Sequence, residues 1–388
     1  MEDCLGDSFR SALQYRPAIL VGSGNWMIHE QLCWLKGLRA SSPDGGGVVN
    51  RPTLPLTMRL SRHTRRREII AAGMIAGLNL IAAKAATAQT RLSRVGFLHP
   101  RLSAIVEPLR VAAVRDGLLS ASPGSRIEMI VRVADGSQER LRMFAEELAS
   151  ERLDVLVAVA PSGIAAAREA SRTTPIVGVD LETDPVAAGW VASLSRPGGN
   201  VTGVFLDMPE FAAKCLQMLV EVVGRRASIG VLWDPSTGGY QRASVEPAAA
   251  SMGLELTLRE TAALSDVGPA IYRLAAEGVG GLLILSSPLF SANTSAVAAL
   301  TTASHLPAIM LFPEFARDGG LIGYGPDLQD LFRRAGIMAR RVIDGASPAD
   351  VPVERPVRFS LIVNVNAARS TGVELPPTLL ARADEVIE

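Results

Sequence analysis

Reactive side chains are sparse in this chain. Beyond residue 88 the only histidines are His99 and His305, and the only cysteine is Cys215. Two imidazoles far apart in sequence offer no metal-ligand spacing. There is no G-x-S-x-G elbow, no Walker loop and no G-x-G-x-x-G after the first predicted strand, and Gly22-Ser23-Gly24 opens no βα unit. No catalytic set, cofactor or metal is expected. What remains is the chemistry of binding, carried by hydroxyls and carboxylates in six short triplets: Leu98-His99-Pro100, Pro161-Ser162-Gly163, Glu182-Thr183-Asp184, Asp234-Pro235-Ser236, Ser286-Ser287-Pro288 and Phe312-Pro313-Glu314. Ser162 and Ser236 can offer a carboxylate a hydroxyl together with free helix-start N–H groups. Asp184 or Glu314 can pair with an ammonium group. Tyr324, Trp233 or Phe312 can stack on a flat ligand. His99, Thr183 and Ser287 complete the candidate set by position. The same serines and Asp184 are equally good helix caps, and Trp233 ends an apolar run as a core residue would. No Arg or Lys occurs in the six triplets, which suits a zwitterion with a flat or apolar side chain better than a phosphate.

Those triplets matter because each follows a predicted strand. Val95–Leu98, Ile127–Val133, Asp154–Ala160 and Pro175–Val179 read as strands, with helices over Glu107–Leu119, Glu139–Ser150 and Gly163–Ser171 between them. In the first helix Leu109, Ala112, Ala113 and Leu118 are the expected inward face. A second set repeats the order: strands at Ile229–Trp233, Leu254–Leu258, Gly281–Leu285 and Ala308–Leu311, helices at Gln241–Met252, Asp266–Glu277 and Asn293–Ser304. Continuous apolar strands separated by helices imply right-handed βαβ units and parallel sheets. Two such sets make an α/β protein of two doubly wound, Rossmann-like lobes. Asn200–Phe205 and Gly320–Gly325 are expected to cross between lobes. The helix Leu328–Asp344, with Leu331, Ala335, Met338 and Val342 inward, returns to the first lobe, and Phe359–Val365 is a last strand. Lobe 1 is then 92–205 plus 326–350, and lobe 2 is 206–325 plus 351–388, joined by a multi-strand hinge. Between Pro175–Val179 and the first crossing, Asp184-Pro185 opens a short predicted helix that Arg196-Pro197-Gly198-Gly199 stops. In open α/β sheets ligands bind beyond the carboxyl ends of the strands, which is where the triplets lie.

Charge is balanced over the whole, 39 Lys and Arg against 39 Asp and Glu, so no nucleic-acid footprint is indicated. The balance hides a division. Residues 1–88 hold 11 basic and 6 acidic side chains, the remainder 28 and 33. Arg65-Arg66-Arg67, the uncharged run Ile69–Ala83 and Ala86-Thr87-Ala88 together describe a secretory signal peptide over 58–88. The run is short for a membrane span, and the arginine pair also suits a twin-arginine signal. A mature chain should begin near Gln89, in the periplasm. Residues 1–57, with Gly45-Gly46-Gly47 and no sustained period, are read as a mis-assigned upstream start or an unstructured extension. Cys215 falls in the apolar pattern Phe211, Cys215, Met218, Leu219 and reads as a core thiol.

Beside this reading stands a resemblance. "DPVAAGWVASLSRPGGNVTGV", "FAAKCLQML", "IGVLWDPS", "GGLIGYGPDLQDLFRRAG" and "LPPTLLARADEVIE" occur in order across 92–388. Together they resemble the ABC transporter substrate-binding protein family with the type I periplasmic-binding-protein fold, related to aromatic-amino-acid binders. The resemblance implies an exported receptor that takes a small solute between two lobes, closes on a hinge and delivers it to an ABC permease in the inner membrane. A periplasmic sensor presenting a solute to a membrane receptor is the alternative, and after it a cleft enzyme; a repressor would need a helix-turn-helix where the export signal lies.

Overall fold

A computed structural model describes residues 91–104, 107–208, 210–225 and 228–388. The expected signal peptide and the stretch before it lie outside the described residues.

The first lobe runs β1 (Leu92–His99), α1 (Glu107–Ser120), β2 (Arg126–Val133), α2 (Gln138–Ser150), β3 (Val155–Val159), α3 (Ala160–Ala170), β4 (Ile176–Asp180) and β5 (Val201–Phe205). The second runs α4 (Glu210–Val223), β6 (Ile229–Trp233), α5 (Tyr240–Met252), β7 (Leu256–Glu260), α6 (Leu264–Ala276), β8 (Gly281–Ile284), α7 (Pro288–Ser291), α8 (Thr294–Ala303), β9 (Ala308–Met310), α9 (Glu314–Arg317) and β10 (Ile322–Pro326). After it come α10 (Leu328–Ile343), β11 (Phe359–Asn364), α11 (Val365–Thr371), α12 (Pro377–Leu380) and β12 (Glu385–Ile387).

Two sheets result. The first has five parallel strands in the order β2-β1-β3-β4-β5; the second has seven in the order β12-β11-β10-β9-β8-β6-β7. One pairing departs from the expected parallel pattern, since β10 and β11 are antiparallel. The chain re-enters the second sheet at β11 only after its excursion through α10, and so arrives from the opposite end. The strands expected to cross between lobes do not. β5 pairs with β4 and β10 with β9, each inside its own sheet. The crossings are the segments that follow them, and the last one leaves first-lobe bonds beyond residue 350. Glu354 N–H donates to Gly203 O at 2.9 Å, Phe205 N–H to Glu354 O at 2.9 Å, and Thr202 Oγ1 to Val351 O at 2.7 Å.

Alternation along the strands explains the double winding. Val95 and Phe97 of β1, Val155, Val157 and Val159 of β3, and Val177 and Val179 of β4 join one core with α1 and α10. Leu98, Leu156, Ala158 and Ile176 point the other way into a core with α2 and α3. Successive side chains on a strand face opposite sides, so both faces of a continuous apolar run must be covered.

Helix α10 is what completes the first lobe. Asp327 caps it, accepting from Asp330 N–H at 3.0 Å. Leu331, Ala335, Met338 and Val342 are buried as the periodicity requires. Large apolar side chains among them each contribute about 1.5–3 kcal/mol on full burial. The helix meets α1 backbone to backbone. A Cβ on Gly117 would lie 2.0 Å from Arg333 O, and one on Gly336 2.1 Å from Val114 O. This contact also corrects the expected inward face of α1. Ala113, Val114, Gly117 and Leu118 are buried, whereas Leu109 is 62% exposed and Ala112 is exposed too. Gly117, which carries no apolar signal, marks the true contact.

A second correction concerns Asp184–Gly189. No helix forms there, only turns. Asp184 accepts from Val186 and Ala187 N–H, Ala188 N–H reaches Asp184 O, and then Gly189 takes a φ of +66°. A left-handed glycine after one turn ends a helix before it propagates.

Candidate functional site

The strand ends of both lobes converge on a cavity enclosing about 440 Å³ of space between atoms, its mouth included. The part that a water-sized sphere can enter is only about 40 Å³, so the lobes stand nearly closed and a ligand of amino-acid size needs them to part. Its first-lobe wall is the face covered by α1 and α10: His99 ends β1, Val159 and Ala160 join β3 to α3, and Leu181 and Glu182 follow β4. Arg110 reaches it from α1, and Leu328, Leu331 and Phe332 from α10. Pro288, Ser291 and Phe312 supply the second-lobe wall.

The join of β3 to α3 differs from the expected strand through Ala160. The helix starts immediately, with Ala160 at φ +62°, a conformation that costs a side chain of order 1 kcal/mol or more. Ser162 is therefore inside the first turn and caps nothing, while the positive end of the α3 dipole is brought to the cavity at Ala160.

Arg110 lies over the Phe332 ring, 5.4 Å from its centroid, with its side chain 11% exposed. Burial lowers its pKa, while the charges of Glu314 and Asp327 oppose that fall. Glu314 Oε1 stands 4.0 Å from Arg110 Nη2, and Glu314 Oε2 is buried without a hydrogen-bond partner. His99 is 4% exposed; burial, and then the charge of Arg110, push its pKa down to about 3. Its Nδ1 accepts from Arg101 N–H at 3.2 Å, so the neutral ring carries its proton on Nε2. Glu182, also 4% exposed, accepts from Leu181 N–H at 3.2 Å and from Ser286 Oγ of the other lobe at 2.6 Å. Gln241 holds Ser286 through two 2.8 Å bonds, Nε2 to its carbonyl and its N–H to Oε1. The cavity thus has a basic pole at Arg110, with Glu314 beside it, an acidic pole at Glu182, and apolar walls with two phenyl rings.

Of the expected residues, His99 lines this cavity, Glu314 faces its arginine, and Phe312 forms a wall. Thr183 follows Glu182 with its Oγ1 buried and unbonded. Ser287 is buried beside Pro288, but its hydroxyl caps α7, accepting from Phe290 N–H. Apart from His99 and Phe312, none of the expected residues lines the cavity. Asp184 spends its carboxylate on its own turn. Ser236 is exposed, and its N–H is taken by Asp234 Oδ1 at 2.9 Å, so it offers no free helix start. Tyr324 stacks on Phe211 with centroids 5.0 Å apart, and its hydroxyl accepts from Lys214 Nζ at 2.6 Å. Trp233 donates to Gly238 O and lies under Arg242. The sequence reading missed Arg110 and passed over Glu182. Arg110 shares a helix face with Val114 and Gly117, four and seven residues on, and that spacing was the available signal.

Two doubly wound lobes closed around a polar-ended cavity define a substrate-binding protein of the type I periplasmic-binding-protein fold. The model of the family described as ABC transporter substrate binding protein matches residues 101–387, and the chain belongs to that family. A curated relative, the "Tyrosine-binding protein" of Clostridioides difficile (strain R20291), is 24% identical over 283 residues, 70% of this chain and 80% of the relative. The ABC domain from Streptococcus pneumonia, solved in complex with L-Trp, superposes with a TM-score of 0.70 at 22% identity. A conserved domain protein from Vibrio cholerae gives 0.69 at 23%. Each covers 76% of this chain and 100% of the solved one. Among the described residues no helix is long and apolar enough to cross a membrane.

Proposed function

We propose that this protein is the exported receptor of an ABC importer, and that it captures an amino acid with a flat or apolar side chain in the cavity between its lobes. The observation that carries the ligand class is the presence of largely buried Arg110 and buried Glu182 on one cavity. Arg110 and the start of α3 can take the carboxylate; Glu182 can take the ammonium; Phe312, Phe332, Leu181 and Leu328 can enclose the side chain. Arg110 weakens the earlier argument from absent cations, but it favours a zwitterion over a sugar all the more, because a carboxylate now has a charged partner. The relative named for tyrosine and the solved structure holding L-Trp support the same class. Export is supported by Arg65-Arg66-Arg67, Ile69–Ala83 and Ala86-Thr87-Ala88. In this reading the ligand bridges both lobes, favours the closed arrangement and is handed to an inner-membrane permease.

Calorimetry against aromatic and aliphatic amino acids, sugars and dicarboxylates tests the reading. An aromatic amino acid should bind, and Arg110→Gln and Glu182→Gln should each weaken it by roughly 1.5–3 kcal/mol, the loss of a hydrogen bond to a charged group. Tight binding of a sugar with no amino acid bound would overturn it.

A further inference from the structure

Two carboxyl groups sit together at the end of β4. Asp180 is 1% exposed and Glu182 4%. Glu182 N–H donates to Asp180 Oδ1 at 3.0 Å, while Asp180 Oδ2 has no hydrogen-bond partner. Thr183 Oγ1 lies near enough to favour the Asp180 charge, yet it completes no bond of ordinary geometry. The donors to Glu182 are all neutral, Leu181 N–H and, across the cleft, Ser286 Oγ. No cation forms an ion pair with either carboxyl among the described residues.

The charged and titratable groups around the pair do not neutralise it. His99 on β1 is neutral, and Arg110 on α1 is opposed by Glu314 on α9 and Asp327 before α10. Asp184 on the same segment, Asp207 beyond β5 and Tyr240 on α5 add no positive charge. Two adjacent buried carboxylates without a cation cannot both ionise cheaply.

We propose that Asp180 and Glu182 form a one-proton clasp between the lobes: Asp180 keeps a proton, Glu182 grips Ser286, and loss of that proton releases the cleft. Burial, and after it the neighbouring Glu182, hold the Asp180 carboxyl well above the usual carboxylate range, which agrees with this arrangement. Opening hydrates the pair and lets Asp180 ionise, so the closed state binds more protons than the open one. Rising pH therefore favours opening, by up to tenfold in the closed-to-open ratio per pH unit for one linked proton. Asp180 does not line the cavity and acts through Glu182 as a positioning residue. The clasp rests on the proposed receptor reading only in requiring lobes that move; where that reading holds, a ligand ammonium at Glu182 supplies the missing charge and expels the proton.

Small-angle scattering of the ligand-free protein between about pH 5 and 9 tests the clasp. The radius of gyration should grow with pH in the wild type, stay low and flat in Asp180→Asn, and stay high in Ser286→Ala. A flat wild-type profile, or the same pH dependence in Asp180→Asn, would overturn it. Should Asp180→Asn fail to fold, the wild type still decides by infrared spectroscopy. A protonated-carboxyl band at neutral pH that fades as the radius grows supports the clasp, and its absence refutes it. Repeating the titration with L-tyrosine separates the two readings. Compaction by tyrosine over a flat pH profile sinks the clasp alone; no response to either sinks both.

Discussion

His99 should make this protein acid-sensitive by an amount the structure sets. The ring is buried and neutral, with a pKa pushed down to about 3, whereas an unfolded histidine titrates near 6.5. The unfolded state therefore takes up a proton first as pH falls. Stability is fully present above the unfolded value and is lost as pH drops from about 6.5 toward about 3. At one pKa unit per 1.36 kcal/mol, the whole loss is about 5 kcal/mol, and about 2 kcal/mol of it is spent by pH 5. Other groups titrate over the same range, so the comparison must be with His99→Gln, which cannot protonate but keeps a polar side chain there. Urea unfolding of both proteins at several pH values, followed by tryptophan fluorescence, gives the difference directly. The wild type should lose about 2 kcal/mol more than the variant between pH 7.5 and 5. Parallel curves would show that His99 protonates freely in the folded protein, and the burial argument for this end of the cavity would fail.

Other outcomes follow from named contacts. Gly117→Ala places a methyl against Arg333 O in a backbone-to-backbone contact, so it should cost at least about 1–3 kcal/mol by urea unfolding. Cys215 is 1% exposed, and burial pushes its thiol up to about 12; native protein should resist thiol reagents that label it readily once unfolded. Tyr324→Phe removes the Lys214 contact but no cavity wall, and should leave ligand affinity unchanged by calorimetry. Asp184→Ala should likewise spare affinity while lowering stability by about 0.5–2 kcal/mol, the cost of a lost cap.

How far the molecule could be read from its residues depended on whether the signal was local. β3 and β8 are unbroken apolar runs, and α10 buries the four positions its period selects, because each reports its own burial on a fixed repeat. The turn after Asp184 misled because a good start signal says nothing about propagation, and Gly189 ended the helix at once. The site was half legible. The strand-end rule reached His99, Phe312 and the triplet holding Glu182, since topology alone fixes where strand ends point. It could not reach Arg110, which enters from a helix flank, nor reveal that Tyr324 is engaged by Lys214 on α4, more than a hundred residues earlier. Ser236 looked like an open helix start, but Asp234 two residues before it already holds the amide.

The central claim, that the interlobe cavity holds an amino acid between Arg110 and the acidic pole, is tested most directly by a crystal structure with the tightest ligand of the calorimetric panel. The account predicts the ligand in the cavity, its carboxylate on Arg110, its ammonium on Glu182, and its side chain between Phe312 and Phe332. A ligand seated outside the cavity, at Asp184 or Ser236, or away from both poles, would contradict it.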